Sequence, residues 1–349
     1  MNQNTWVEIS TGAIESNLKN YEKILPKNTM LMAVVKANAY GHGMEISAAS
    51  AVKAGVDYLA VFDIADAVSL RKTYKSVPIL VLKQIEEDEL DIALKYKLDI
   101  TVASIEILNK IIKNKNKSNF LIHLKIDTGL SRQGFAFTEL EYVLKTLKEN
   151  ADLHITALYS HFVGAENKKF DKLTKEQTEK IKIWQDEFNQ RDYYPIVHIS
   201  ATSGFVMNHD LAFDMVRVGI GMYGLWPDAE VKSKIGNKLK LVPALYFKTK
   251  ITQVKEINQG DVVAYNATFV AKNKMKIAVL PVGYWDGLPR ALSNIGYVIC
   301  AGVKCKILGR VMMNMCIVDV TGIKNIKAGD IATIIGKHGK AEITADEVA

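Results

Sequence analysis

Residues 30–36, Met-Leu-Met-Ala-Val-Val-Lys, are six apolar residues closed by one lysine. The run is too short for an amphipathic helix and lacks the polar alternation of a half-exposed strand, so it reads as a strand covered on both faces. Comparable β-rich runs recur at 58–62, 78–82, 99–103, 120–126, 154–161, 196–200 and 215–218, which makes eight in all. Helical spacing fills the intervals, as in Ile14, Leu18, Tyr21 and Leu25 behind Thr11 and Glu15. Eight parallel strands separated by helices predict an α/β fold that closes into a (β/α)8 barrel.

Beyond Trp226-Pro227 the rhythm changes. Runs at 245–257, 261–265, 276–282, 297–301, 316–320 and 330–335 follow one another across Gly and Asn turns with no long helix between them. They predict a separate C-terminal all-β domain. The polar stretch 232–240 reads as the linker, which gives a barrel domain over 1–231 and a β domain over 232–349.

The whole chain has 349 residues, 48% hydrophobic and 24% charged, with a formal net charge of +7. That is the composition of a globular protein long enough for two domains. The excess of lysine would suit an anionic ligand, but Lys113, Lys115 and Lys117 alternate with asparagine as a solvated face does, which argues against nucleic acid as partner. The first ten residues lack a basic segment leading into an apolar one, and no eighteen apolar residues run together, so neither signal peptide nor membrane span is expected and the cytoplasm is the default. Cys300, Cys305 and Cys316 are odd in number and lack a second ligand pair, so they read as reduced structural thiols, with no metal expected.

In such barrels the chemistry sits where strands run out into loops. Lys36 closes the first run, and desolvation there would lower its pKa and make the amine a Schiff-base nucleophile; a snorkelling or ion-paired lysine is the plainer reading. Later strand ends add Lys125, Asp127 and Arg132, then His161, His198, Thr202 and Arg217, followed by Gly219 and Gly221. The last two strand ends are where barrels commonly bind a phosphate through loop amides. Taken singly, each histidine could be structural and each glycine could merely turn the chain.

Residues 33–43, Ala-Val-Val-Lys-Ala-Asn-Ala-Tyr-Gly-His-Gly, resemble the cofactor-lysine signature of the alanine racemase family, the pyridoxal 5'-phosphate (PLP) dependent amino-acid racemases of fold type III. Similar matches run in order through 125–134, 160–162, 217–224, Tyr265, 282–290 and 309–319, covering nearly the whole chain. The resemblance implies interconversion of L- and D-alanine through a PLP aldimine, supplying D-alanine for peptidoglycan. Lys36 would carry the cofactor, Tyr40, Thr202 and the amides of Gly219 and Ile220 would hold its phosphate, and His161 would pack on its ring. Arg217 would face the pyridine nitrogen; because a guanidinium keeps its protons, that nitrogen would stay unprotonated, a weaker electron sink that limits transamination.

Racemisation needs a base on each face of the substrate. The resemblance assigns these to Lys36 and to Tyr265 reaching in from a partner subunit, which implies a homodimer with shared sites. Without it, Tyr265 reads as a strand tyrosine at a domain surface. Arg132 and the backbone amide of Met313 would contact the substrate carboxylate, and Lys125 resembles a lysine that some members carry as a carbamate.

The chain departs from the family pattern at Ala201, where asparagine is usual, at Asn314, where aspartate is usual, and at Asn266, where glycine follows the tyrosine. It also stops at Ala-Asp-Glu-Val-Ala, before the further strand or two with a phosphate-contacting tyrosine that the family leads one to expect; cofactor affinity and the β-domain edge are the properties this would affect. A serine or broad-specificity racemase of the same mechanism is the nearest alternative. A PLP-binding protein that does not racemise is another, though such proteins lack the β domain. Decarboxylases of related fold would need a cysteine-aspartate pair in the second domain.

Overall fold

The computed structural model describes residues 4–349, so the first three residues of the segment read for a signal peptide lie outside it. The chain forms two compact units: Thr11–Ala244, and Leu245–Ala349 together with the N-terminal segment ending at Ser10.

The N-terminal strand β1 (Thr5–Ile9) belongs to the second unit, and the barrel begins after helix α1 (Thr11–Ile24). Its eight strands are β2 (Met30–Val34), β3 (Tyr58–Val61), β4 (Ile79–Gln84), β5 (Asp99–Val102), β6 (Leu121–Lys125), β7 (Ile155–Tyr159), β8 (Ile196–His198) and β9 (Met215–Val218). All neighbours are parallel, in the order β8-β7-β6-β5-β4-β3-β2-β9. The ring closes between β8 and β9 through Asp214 N to Val197 O and Arg217 N to Ser200 O, at 3.0 and 3.1 Å. Helix α1 covers the outside with Ile14 and Leu18, both essentially inaccessible; burying each contributes about 1.5–3 kcal/mol.

The barrel interior is divided. Met32, Val34, Tyr58, Ala60, Leu80 and Met215 pack into one largely apolar cluster. On the side formed by β5 to β9 the buried residues are Asp99, Thr101, His123, Lys125, Tyr159, His198 and Arg217. Barrel interiors are ordinarily dominated by branched aliphatic side chains, so this polar half calls for an explanation beyond packing.

The second unit is antiparallel. Its main sheet joins β1 to β10 (Leu245–Lys250), β11 (Gln253–Ile257), β14 (Met275–Leu280), β15 (Tyr297–Cys300), β16 (Val303–Leu308), β17 (Cys316–Asp319), β18 (Ile331–His338) and β19 (Ala341–Ile343). A short hairpin of β12 (Val262–Val263) and β13 (Phe269–Val270) stands apart. The three free cysteines are buried, within a core that includes Ala278, Leu280, Val298, Ile307, Val318 and Ile334.

Both expected boundaries shift. The stretch read as a linker begins inside a helix, Ala229–Ile235, capped by the Asp228 side chain, and it belongs to the barrel unit. The chain stays bound to the barrel as far as Ala244 because Asn17 of α1 both donates to Val242 O and accepts from Val242 N, each at 2.8 Å. The division therefore falls after Ala244 rather than after residue 231. The run 245–257 is likewise two strands, with β10 pairing β1 and β18 while β11 pairs β14.

Candidate functional site

The barrel strands end in a cavity of about 520 Å³. Its lining includes Lys36, Tyr40, Lys125, Arg132, Tyr159, His161, Ala201, Thr202, Arg217, Gly219 and Ile220. Of the residues expected at the site, Lys36, Tyr40, Lys125, Arg132, His161, Thr202, Arg217, Gly219 and Ile220 line this cavity, whereas Asp127, His198 and Gly221 do not; Tyr265 and Met313 belong to the other unit.

Immediately after Lys36 the backbone reverses hand. Ala37, Asn38, Ala39 and Tyr40 all have φ between 50° and 55°. For non-glycine residues this costs roughly 1–2 kcal/mol each, so the turn survives only where its surroundings over-determine it. They do so here. Gly41 N and Gly43 N donate to Asn38 O, Met44 N donates to Asn38 Oδ1 at 2.9 Å, and His42 Nδ1 donates to Ala39 O at 3.1 Å while its ring stacks on Tyr223. The turn takes the main chain out of the strand beside Lys36. Burial, then Arg132 and Arg217, lower the lysine's pKa.

Tyr40 ends the turn with its hydroxyl over Gly219, where a Cβ would lie 2.8 Å from it. Gly219 N donates to Thr202 Oγ1 at 3.1 Å, and the short turn Ile220–Tyr223 follows. Gly219 thus keeps backbone and hydroxyls close together at the cavity wall. Gly221 has a different reason: a side chain there would overlap the Tyr21 hydroxyl and come within 2.6 Å of Thr202 Cγ2.

Arg132 is positioned by its loop. Asp127 Oδ1 accepts from the amides of Gly129, Leu130 and Ser131, and Oδ2 from that of Arg132, at 2.9–3.1 Å. Burial alone would raise the Asp127 carboxyl, but these amides together hold it below its usual value. The loop then folds back onto the strand, with Phe135 N donating to Lys125 O; Gly134 leaves room, since a Cβ would meet Asp127 N at 2.5 Å. Asp127 is therefore a loop former.

Arg217 lies across the cavity floor, 4% exposed. Its Nη1 donates to His198 Nδ1 and His198 O, and its Nη2 to His161 Nδ1, Ser160 O and Ile199 O, at 2.7–3.0 Å. None of these bonds uses Nε. Burial lowers the guanidinium to about 10, so it stays charged at neutral pH. Burial first, and Arg217 next, bring His161 down to about 2, which leaves a neutral imidazole. Lys125 is 3% exposed, with Nζ 4.4 Å above the Tyr159 ring, and has no acidic partner among the described residues; burial drives its pKa well down.

In the second unit, Tyr265 is 68% exposed on a turn where Ala264 and Asn266 have φ of 59° and 62°. Asparagine accepts this left-handed backbone, as expected for the position that glycine takes in the family. Asn294 Oδ1 accepts from Gly309 N, and a Cβ on Gly309 would meet Val263 O at 2.5 Å. Met313 is also exposed, and its carbonyl accepts from Trp285 N at 3.0 Å.

Sequence reading missed several residues of the barrel site. Asn38 and His42 build the left-handed turn, Tyr159 lies under two cations, and Asp99, Thr101 and His123 extend the polar interior. The available signal was alternation: Asp99-Ile-Thr101 and His123-Leu-Lys125 place polar residues at period two inside runs read as apolar on both faces.

The barrel mouth thus gathers a partly desolvated amine, a charged guanidinium with an unused donor, a neutral imidazole, and loop amides beside two hydroxyls. These features define a class, (β/α)8-barrel proteins with an appended β unit whose strand ends are equipped to bind an anionic, amine-reactive group. The chain belongs to the alanine racemase family: the family's N-terminal domain model matches residues 9–227 and its C-terminal domain model residues 244–349. It is 37% identical to an alanine racemase of Halothermothrix orenii, covering 99% of this chain and 90% of that one, and 34% identical to one of Methanococcus maripaludis, covering 98% and 91%. The structure resembles that of an alanine racemase from Bacillus anthracis with bound L-Ala-P, with TM-score 0.90, 30% identity and coverage of 100% and 90%. It also resembles an alanine racemase from Bartonella henselae with covalently bound pyridoxal phosphate, with TM-score 0.87, 27% identity and coverage of 99% and 93%.

Proposed function

We propose that this protein is a PLP-dependent alanine racemase that interconverts L- and D-alanine. The observation that carries the reading is Arg217, whose terminal nitrogens are all committed to protein acceptors while Nε remains available at the cavity beside Lys36. An arginine buried this way suits a ring-nitrogen acceptor, and the Tyr40, Thr202 and Gly219 cluster suits a phosphate. Pyridoxal phosphate, when bound, supplies a carbonyl that captures an amino group and a conjugated ring that acidifies the adjacent Cα–H.

The chain's own residues supply the rest. Lys36, its pKa lowered by burial, would be the amine that holds the cofactor and the base that exchanges the Cα proton on one face. Arg217 would donate to the cofactor's ring nitrogen and so disfavour its protonation, which would restrain side reactions. Neutral His161 would lie beside the ring without adding charge. Arg132, on its Asp127-braced loop, and the Met313 amide orient the substrate carboxylate, and Lys125, an unpaired buried amine, is in the state that carbamylation requires.

Tyr265 is the second base, contributed by the partner in a homodimer. Its exposure, with Tyr284, Trp285 and Met313 exposed in the same unit, supports a surface that is covered in the working assembly. The compartment we propose is the cytoplasm and the product's use is peptidoglycan precursor supply, both carried over from the family.

The test is Cα deuterium incorporation into L-alanine and L-serine by the PLP-loaded protein, beside Lys36→Ala. Exchange into alanine that vanishes in the variant supports the proposal. A cofactor absorbance band without exchange would replace it with a binding protein, and faster exchange into serine with a serine racemase.

A further inference from the structure

Three buried side chains continue the Arg217 contacts away from the cavity, through the polar half of the barrel. Arg217 Nη1 lies 2.7 Å from His198 Nδ1, His198 Nε2 lies 3.1 Å from His123 Nδ1, and His123 Nε2 lies 3.1 Å from Asp99 Oδ1. All four residues are at most 4% exposed. Tyr159 stacks on His198 at 4.7 Å and holds that ring's plane, its own hydroxyl bonded to Thr101.

Only one proton assignment satisfies every link. Arginine can only donate, so His198 Nδ1 must be a bare acceptor and its proton must sit on Nε2. That proton points at His123 Nδ1, which must accept, so the His123 proton sits on Nε2 and points at Asp99 Oδ1, which accepts it. Placing the His123 proton on Nδ1 instead forces a proton onto His198 Nδ1 and sets two donors face to face at 2.7 Å. The chain therefore has one direction, each group donating to the next from the Arg217 guanidinium at the cavity to the Asp99 carboxyl at its far end.

We infer that Asp99, His123 and His198 form a positioning relay: Arg217 sets both imidazoles in the Nε2–H tautomer, and Asp99, accepting from His123 Nε2, holds the two rings in line against Arg217 and so keeps the guanidinium in place with its Nε presented to the cavity. Neither Asp99 nor His123 lines that cavity; they act through His198. A structural filler would do as well with hydrocarbon, and the barrel's opposite half is filled that way. The charged and titratable groups packed against the two imidazoles are Asp99, Tyr58, Tyr159, Lys125 and Arg217. Burial, Arg217, His123 and Lys125 all disfavour a proton on His198, in keeping with the assignment.

The effect on activity rests on the racemase reading; the tautomers do not. The first measurement is therefore histidine ¹⁵N NMR on the full chain, which requires no turnover. Both His123 and His198 are expected as Nε2–H tautomers, and His198, whose pKa is held well below the usual value, is expected not to titrate between about pH 6 and 8, where a free imidazole does. An Nδ1–H tautomer at either residue, or a titrating His198 signal, overturns the relay. Asp99→Leu leaves the His123 Nε2–H without its acceptor and is expected to shift the His123 Nε2 signal, whereas Asp99→Asn, which keeps shape and an acceptor oxygen, is expected to move it little. A His123 Nε2 signal that is unchanged in a folded Asp99→Leu protein also overturns it.

In the PLP-loaded enzyme, His123→Phe is expected to lower kcat about tenfold or more with KM for alanine little changed, as loss of an outer-shell partner does elsewhere. A fall confined to KM, or no fall, speaks against the relay. Absence of alanine exchange in the wild type would instead sink the racemase reading and leave the tautomer result standing.

Discussion

Single atoms decide several contacts in the barrel site, and the glycines show it most directly. An alanine at Gly221 would drive its methyl into the Tyr21 hydroxyl. Gly221→Ala is expected to destabilise the protein by about 1–3 kcal/mol, the usual cost of overpacking. Because the nearest atom is that hydroxyl, adding Tyr21→Phe should recover part of the loss in denaturant titration; no recovery would mean that the Thr202 methyl carries the clash. The buried imidazoles set a pH dependence. His161 and His198 have depressed pKa values in the fold, whereas an unfolded histidine titrates near 6.5. Below that value the unfolded chain takes protons the native state refuses, so stability is full above about pH 6.5 and falls as the pH drops, by about 1.4 kcal/mol per unit for each such group. Melting temperatures between about pH 7 and pH 5 should show the decline, with a shallower slope in His161→Gln.

The left-handed turn after Lys36 is the element on which the barrel site depends. Glycine in place of alanine usually costs up to about 1 kcal/mol in a right-handed helix. At Ala37, with φ of 53°, the same change removes a Cβ strained against its own backbone. Ala37→Gly is therefore expected to be neutral or stabilising in denaturant titration, and a cost as large as that in an ordinary helix would show that the turn is unstrained. Asn38→Ala removes the acceptor for Met44 N and should weaken cofactor binding more than it weakens the fold, read as PLP affinity against melting temperature. The motif 33–43 was visible as a run of residues, but its hand was not: nothing in Ala-Asn-Ala-Tyr calls for positive φ, and local propensity opposes it in both alanines. Only the carbonyls, Asn38 and His42 packed around the turn hold it there.

At the scale of the molecule, the proposed site draws on two copies of the chain. If Lys36 and Tyr265 of one site come from different subunits, mixing Lys36→Ala with Tyr265→Phe protein and allowing exchange should restore activity that neither has alone. Random pairing makes about half the dimers mixed, each with one intact site, so about a quarter of wild-type activity is expected. No recovery after verified subunit exchange would place both bases in one chain. Sedimentation at decreasing concentration should show activity falling as the dimer dissociates.

Much of the architecture was legible because it follows from periodicity. Runs such as 30–36, apolar on both faces and separated by helical spacing, have few resting places other than a parallel barrel, and the loss of that rhythm near residue 227 marked a second, β-rich part. The strand-end residues Lys36, Arg132, His161, Thr202 and Arg217 were legible for the same reason, since a barrel brings all its strand ends to one face. Long-range pairing lay beyond that reading. Whether 232–240 was a linker depended on Asn17 gripping Val242, and the role of residues 5–9 depended on β10 accepting them as a neighbour. The polar chain from Asp99 to Arg217 joins four strands distant in sequence, and only the closed ring brings them within hydrogen-bond reach. Periodicity is written locally and survives in the sequence, whereas a hydrogen-bonded network exists only once the strands that carry it have been set side by side.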